Sequence, residues 1–316
     1  MSGLFNTFNI AKRGLFVQQR AIEVTSHNIA NANTEGYSRQ RVEIQTTRPF
    51  GMPTLNSKAE PGQIGTGAEV AAIQRIRDTF IDYQVRTETS TFGQYQAREK
   101  FLEEIESIFN EPSETGISTL IGKFFDSWQQ LSKQANSSNA RTVVAQQSAA
   151  LADELNHTYT QLKNLKENAS SLIRSSVFEI NNLLNQLDQI NQQIIGVKVA
   201  GNMPNDLMDR RDLLLDQLSE KFNINIDKKS FEGFDVKPVD TQDVKDGFVL
   251  KSENNGDAKR FSYITNIEDL GGGNYKLTYY KLGDMTSEGN KMTLIVTGLD
   301  EAAVKEISET RVLWAS

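Results

Sequence analysis

Residues 25–42 read T-S-H-N-I-A-N-A-N-T-E-G-Y-S-R-Q-R-V, a stretch that closes a helix and opens an extended arm. Counting back from it, Leu4, Phe8, Ala11, Leu15, Ile22, Thr25, Ile29 and Ala32 recur at alternating spacings of four and three, interrupted only by Gln18. That is the pattern of a coiled-coil seam, which calls for a partner helix, and a single amphipathic helix is marginal in water without one. Asn31, Asn33, Thr34 and Gly36 stop the helix. The Asn and Thr side chains compete for backbone groups, and Gly36 can take the left-handed conformation that a helix end demands. Beyond it Tyr37, Arg39 and Arg41 alternate with Ser38, Gln40 and Val42, as in a strand.

The string Asn28-Ile-Ala-Asn31-Ala-Asn-Thr34-Glu-Gly36-Tyr37-Ser-Arg39-Gln40 resembles the N-terminal signature of the axial proteins of the bacterial flagellum, the rod, hook and hook-associated proteins. The likeness is strongest to the hook-associated members. A second string, Asn205-Asp206-Leu207-Met-Asp209-Arg-Arg211-Asp212, is similar to an N-D-L-L-D-x-R-D element of those members. The resemblance covers residues 1 to about 220. It implies a structural, non-catalytic subunit at the junction of hook and filament, built into a tubular layer by head-to-tail contacts. The partners it implies are the flagellar hook protein, the next hook-associated protein, further copies of the chain, and the export apparatus with its chaperone. It also implies an extracellular location reached by type III export without a cleaved signal peptide. In the family a C-terminal helix returns to meet the N-terminal one. No residues here read as that helix, so a shortened form is expected.

Composition sets the outer limits. The 316 residues are 38% hydrophobic and 24% charged, with 6 Pro, no Cys and a net charge of -7. No apolar run is long enough for a membrane span. Acidity and the lack of clustered Lys and Arg argue against nucleic acid. Without cysteine, neither disulfides nor thiolate metal sites are available. The two histidines, His27 and His157, have no zinc spacing or nucleophile elbow beside them. No catalytic residue, cofactor or metal is therefore expected. The four aspartates Asp206, Asp209, Asp212 and Asp216 fall at helical spacing, and Asp206 is expected to pair with Arg210 one turn away on a charged helix face. Competing readings are a secreted adhesin or binding module and a secreted cell-wall hydrolase.

Along the chain, three Pro and four Gly between 46 and 67 predict a linker. Residues 67–78 alternate like a short strand, and Asp78 can cap a helix. That helix carries Phe80, Ile81, Val85, Phe92, Tyr95, Phe101, Leu102, Ile105, Ile108 and Phe109 on an expected core face and ends at Pro112. A second helix, starting within 113–118, spaces Ile117, Leu120, Ile121, Phe124, Phe125, Trp128 and Leu131 for packing. From Ser138 as N-cap, residues 139–195 lack Gly and Pro and predict a helix of about 55 residues, roughly 80 Å long. From Phe222 the period becomes two. Strands are expected at 222–227, 247–251, 261–265, 275–280 and 291–297, with a hairpin turn at Gly271-Gly272-Gly273 and a short helix over 300–316. The predicted fold is multidomain and mainly α with a β part. It comprises an N-terminal assembly helix and arm (1–66), an elongated helical rod (67–221) and a small antiparallel β domain (222–316).

Overall fold

The computed structural model describes residues 2–49, 65–109, 116–239 and 247–315. Most of the expected linker, the Pro112 stop and the side chain of Leu4 lie outside the described residues. Helices dominate, with small antiparallel sheets between and after them. Contacts gather the chain into two units, Met1–Thr89 with Leu183–Lys259, and Ser90–Asn182 with Arg260–Ser316. Each is assembled from separated stretches, so these units do not follow the chain-order division at 66 and 221.

In the first unit, α1 (Ser2–Ala30) is followed by β1 (Gln40–Thr46) and β2 (Ala68–Arg75), which form an antiparallel pair running from Gln40 opposite Arg75 to Thr46 opposite Ala68. The α1 helix has a partner within its own chain, and that partner is this hairpin rather than a helix. The covered face is not the expected seam. With Asn6, the buried or half-buried positions are Ile10, Gly14, Val17, Ala21, Val24, Asn28 and Asn31, and from Ile10 on they form a second four-three alternation set one residue back. Val17 is 4% and Val24 9% exposed, whereas Phe8, Leu15, Ile22 and Ile29 are 67%, 69%, 66% and 72% exposed. Gly67, at φ +111°, brings the start of β2 against Ile10 and Arg13.

The rest of this unit is the start of α2 (Thr79–Phe109), the end of α4 (Ser138–Val199), α5 (Asn205–Ser219), β3 (Ile224–Lys228) and β4 (Phe234–Pro238). Asp78 caps α2 as expected, its Oδ1 accepting from the amide of Phe80 at 2.9 Å. Leu187, Ile194, Leu215, Leu218, Phe234, Val236 and Leu250 are fully buried and form the core. The expected strand at 247–251 is reduced to a bridge between Leu250 and Val236. The strand Val236 occupies, β4, had no counterpart in the sequence reading. The α4 helix runs 62 residues, past the Gly-free stretch and through Gly196, and ends where Gly201, at φ +83°, turns the chain. At its other end Ser137, not Ser138, offers the capping hydroxyl, to the amide of Ala140 at 3.4 Å.

The second unit holds the remainder of α2, α3 (Ile117–Lys133), most of α4, and a four-stranded sheet ordered β7-β6-β5-β8. The strands are β5 (Arg260–Gly271), β6 (Asn274–Tyr280), β7 (Lys291–Thr297) and β8 (Val312–Ala315), with α6 (Glu301–Thr310) before the last. Residues expected to continue the final helix thus form an edge strand, after Arg311 takes a left-handed conformation at φ 52°. Gly272 and Gly273 both adopt positive φ between β5 and β6, as a tight hairpin requires. Ile264, Leu277 and Tyr279 form the sheet's buried cluster. Asn181 fastens the sheet to α4, donating to the Phe261 carbonyl at 2.8 Å. The apolar stripes of α2 and α3 are not the closed core face expected: Phe92, Tyr95, Leu102, Phe125 and Trp128 are exposed, while Phe101, Ile105 and Ile108 of α2 and Ile117, Leu120, Phe124 and Leu131 of α3 are half-buried. Helical periodicity identifies an apolar face but does not say what covers it.

Candidate assembly site: a clasp between the two sequence motifs

Within the first unit the two motifs meet, although about 165 residues separate them along the chain. The turn after α1 is closed by Asn28. Its Nδ2 donates to the Gln40 carbonyl at 2.9 Å, and its Oδ1 accepts from the Gln40 amide at 2.8 Å and from the Tyr37 hydroxyl at 2.8 Å. Because the Gln40 amide fixes which atom of Asn28 is the oxygen, the Tyr37 hydroxyl must donate to it. The hydroxyl therefore accepts from His27 Nδ1, 3.0 Å away. Burial, then the charges of Asp206 and Asp209, push the Tyr37 phenol above its ordinary value, which keeps that donor protonated. Asn31 donates to the His27 carbonyl at 3.0 Å and accepts from Thr34 at 3.3 Å. Arg39 contributes its carbonyl, which accepts from the amide of Ile76 at 2.8 Å, while its side chain is exposed.

Gly36 sits at φ +76°, and a Cβ there would lie 3.1 Å from Cβ of Leu213 on α5. Both conformation and space thus disfavour a side chain. Gly36→Val is expected to cost about 1–3 kcal/mol, read as a lower urea midpoint at unchanged slope. Unchanged stability would show that the turn relaxes freely.

The α5 helix supplies the other half of the clasp. Gln40 Nε2 donates to Asp206 Oδ1 at 2.9 Å, and Asn205 Nδ2 donates to Gln40 Oε1 at 3.1 Å and to the Ile73 carbonyl at 2.9 Å. The Ser38 amide donates to Asp209 Oδ2 at 3.1 Å. Arg75 Nη1, at the end of β2, reaches both Asp209 Oδ1 at 2.7 Å and Asp212 Oδ2 at 2.8 Å. Arg77 binds Asp82 at 2.7 Å and lies 3.7 Å from Asp212. Arg86, from α2, binds Asp216 at 2.7 Å and Asp212 at 3.4 Å. Leu207 is half-buried between these polar positions.

The expectation that the aspartates pair along their own helix is therefore corrected. Asp206 pairs with Gln40, and Asp209, Asp212 and Asp216 pair with arginines over a hundred residues away. At Asp212, burial raises the pKa, but the Arg75 hydrogen bond and the charges of Arg75, Arg77 and Arg211 outweigh it and hold the carboxyl below its usual value. Every carboxylate here is committed to a cation or amide, which suits a joint. Among the described residues no group of three or more His, Cys, Asp or Glu is placed to hold a metal. The arginines of β2 and α2 are the members of this site that the sequence reading missed. The spacing of Arg75, Arg77 and Arg86 pointed to no partner.

The family profile of the flagellar hook-associated protein FlgK helical domain matches residues 102–267, over half of the chain, and includes the Asn205–Asp212 motif. The chain belongs to the FlgK family of flagellar hook-associated proteins. The profile of the flagella basal body rod protein matches residues 8–37, which hold most of α1 and its turn. Flagellar hook-associated protein 1 of Bacillus subtilis is 38% identical over 226 residues, covering 72% of this chain and 45% of that protein. The protein of that name from Salmonella typhimurium is 31% identical over 229 residues, covering 72% of this chain and 39% of its own length. The chain thus spans less than half the length of these FlgK relatives. The flagellar hook junction protein FlgK from Burkholderia pseudomallei overlaps with a TM-score of 0.48 at 18% identity, over 68% of this chain and 35% of that one. The FlgK family is a structural one of the flagellum. Among the described residues no helix is long and apolar enough to cross a membrane.

Proposed function

We propose that this chain serves as a non-catalytic structural subunit at the hook–filament junction, assembling head to tail into a tubular layer through the outward seam of α1. The observation that carries this is the pair of seams on one helix. The inner one is covered by β1 and β2, while Phe8, Ala11, Leu15, Ile22 and Ile29 stand bare on the outer one. Leu4 continues the outer series in the sequence. A row of large apolar side chains held out by a fixed helix loses free energy in water that a facing helix recovers, at about 1.5–3 kcal/mol for each side chain fully buried. The clasp fixes how the arm leaves α1, and so the direction in which the seam is presented.

In this reading the axial neighbours are the hook protein on one side, the next hook-associated protein on the other and further copies around the ring. The chain reaches the outside of the cell through the flagellar export apparatus and its chaperone. Roles divide along the chain, with 1–66 for assembly, 67–221 as helical body and 222–316 as displayed β part. A binding assay on isolated hooks tests the reading. Leu15→Gln with Ile22→Gln is expected to leave the monomer's stability within about 0.5 kcal/mol, because both sites are exposed, and to abolish attachment to hook ends. Attachment equal to that of the unsubstituted chain would overturn it.

A further inference from the structure

One buried cation of α5, Arg211, makes no close ion pair and feels the charges of Asp212 and Glu232 only at longer range. Arg211 is 8% exposed. Its Nη1 donates to the carbonyl of Glu232 at 2.6 Å, its guanidinium lies 4.8 Å over the ring of Phe234, and its buried Nε donates to nothing. Among the described residues no carboxylate oxygen approaches it within 4.0 Å. Arg75, Arg77 and Arg86 hold the nearby aspartates instead. A guanidinium stays charged in proteins, and a buried charge is costly unless it is paired.

Two further features converge on the same place. Arg211 borders a cavity of about 390 Å³ whose wall also carries the cations Arg75, Arg77, Arg86 and Lys228, the acids Asp82, Asp212 and Glu232, and Asn205, whose Oδ1 is buried without a donor. The carbonyl that steadies Arg211 comes from a strained turn. Phe231 (φ 55°) and Glu232 (φ 59°) both sit in the left-handed region between β3 and β4, where Asn-Gly is the favoured pair. The turn is closed by the Gly233 amide on the Ser230 carbonyl at 3.0 Å. The fold accepts two unfavourable backbone conformations, and they carry the Glu232 carbonyl to Arg211. Strain of this kind gathers at ligand sites.

We propose that this cavity binds a small carboxylate bearing a neighbouring hydroxyl, its carboxylate neutralising Arg211 and its hydroxyl donating to Asn205. A halide supplies the charge and no donor. Water supplies the donor and no charge. The site stands apart from the outer seam of α1 and does not depend on the assembly reading.

Malate is the probe, with succinate as the same dicarboxylate lacking the hydroxyl and sodium chloride at equal ionic strength as the control. The thermal midpoint of the 316-residue chain is expected to rise saturably with malate, more weakly with succinate, and not saturably with chloride. Arg211→Met keeps an apolar stem against Phe234 and is expected to weaken the malate response about tenfold or more. A response no larger than that to chloride, or one retained in full by Arg211→Met, would overturn the proposal, and an equal response to succinate would remove Asn205 from the site. A crystal of the unsubstituted chain grown in malate decides the matter even if the variant does not fold. A carboxylate on Arg211 supports the site, and only water there excludes it.

Discussion

Asp212→Ala is expected to destabilise the first unit by about 3–5 kcal/mol, the usual cost of removing one partner from a buried ion network. Asp212 accepts from Arg75 at 2.8 Å and Arg86 at 3.4 Å and lies 3.7 Å from Arg77. Its loss leaves three cations with fewer partners. The same carboxyl gives the fold a pH dependence with a definite sign. Its folded pKa is depressed below the ordinary 3.8, so its contribution is present in full above about pH 4. The contribution is lost as pH falls through the lower folded value. Acid titration of the unsubstituted chain is expected to show this loss, and Asp212→Ala to lack it. A variant as stable as its parent at neutral pH would show that the arginines find other partners and that the clasp is loose.

Val24→Asp is expected to free α1 from the β1–β2 hairpin. Val24 is 9% exposed on the inner seam, beside Asn28 one turn on, and an unpaired carboxylate there costs about 3 kcal/mol or more. Circular dichroism would register lost helix while the core around Leu187 and Leu215 persists. The contrast with Leu15→Gln and Ile22→Gln is the useful part. Substitutions two residues apart on one helix separate folding of the monomer from assembly, because they fall on different seams. If Val24→Asp left α1 as ordered as before, the inner seam would not be what holds it.

The two seams also show where sequence reading succeeds and where it stops. Both follow the four-three alternation, about 100° apart around the helix. The one with large side chains was legible. The one that packs internally was not, because Gly14, Ala21, Asn28 and Asn31 are small or polar, and the hairpin that covers this face is not placed by the sequence. The positive φ at Gly36, the cap at Asp78 and the long Gly- and Pro-free helix were legible because each is a local matter of backbone conformation or periodicity. The β4 strand was not. It buries Asp235, whose Oδ1 accepts from the amide and hydroxyl of Ser252 at 2.7 and 2.9 Å, and a buried aspartate next to Pro238 reads as loop. Asp206 was matched to Arg210 for the same reason, since only neighbours along one helix are visible in sequence, whereas its partner Gln40 is 166 residues away. Both motifs were legible as strings, but their contact with each other required the fold.

The turn after α1 is held by Asn28 from one side and by α5 from the other before any partner arrives. Residue-resolved amide exchange in a verified monomer tests it most directly at two positions, the Ser38 amide, which donates to Asp209 at 3.1 Å, and the Gln40 amide, which donates to Asn28 at 2.8 Å. Both amides are expected to exchange far more slowly than in an unstructured chain, with Asp209→Ala speeding Ser38 and Asn28→Ala speeding Gln40. Exchange at the unstructured rate at both positions in the native monomer would contradict the account.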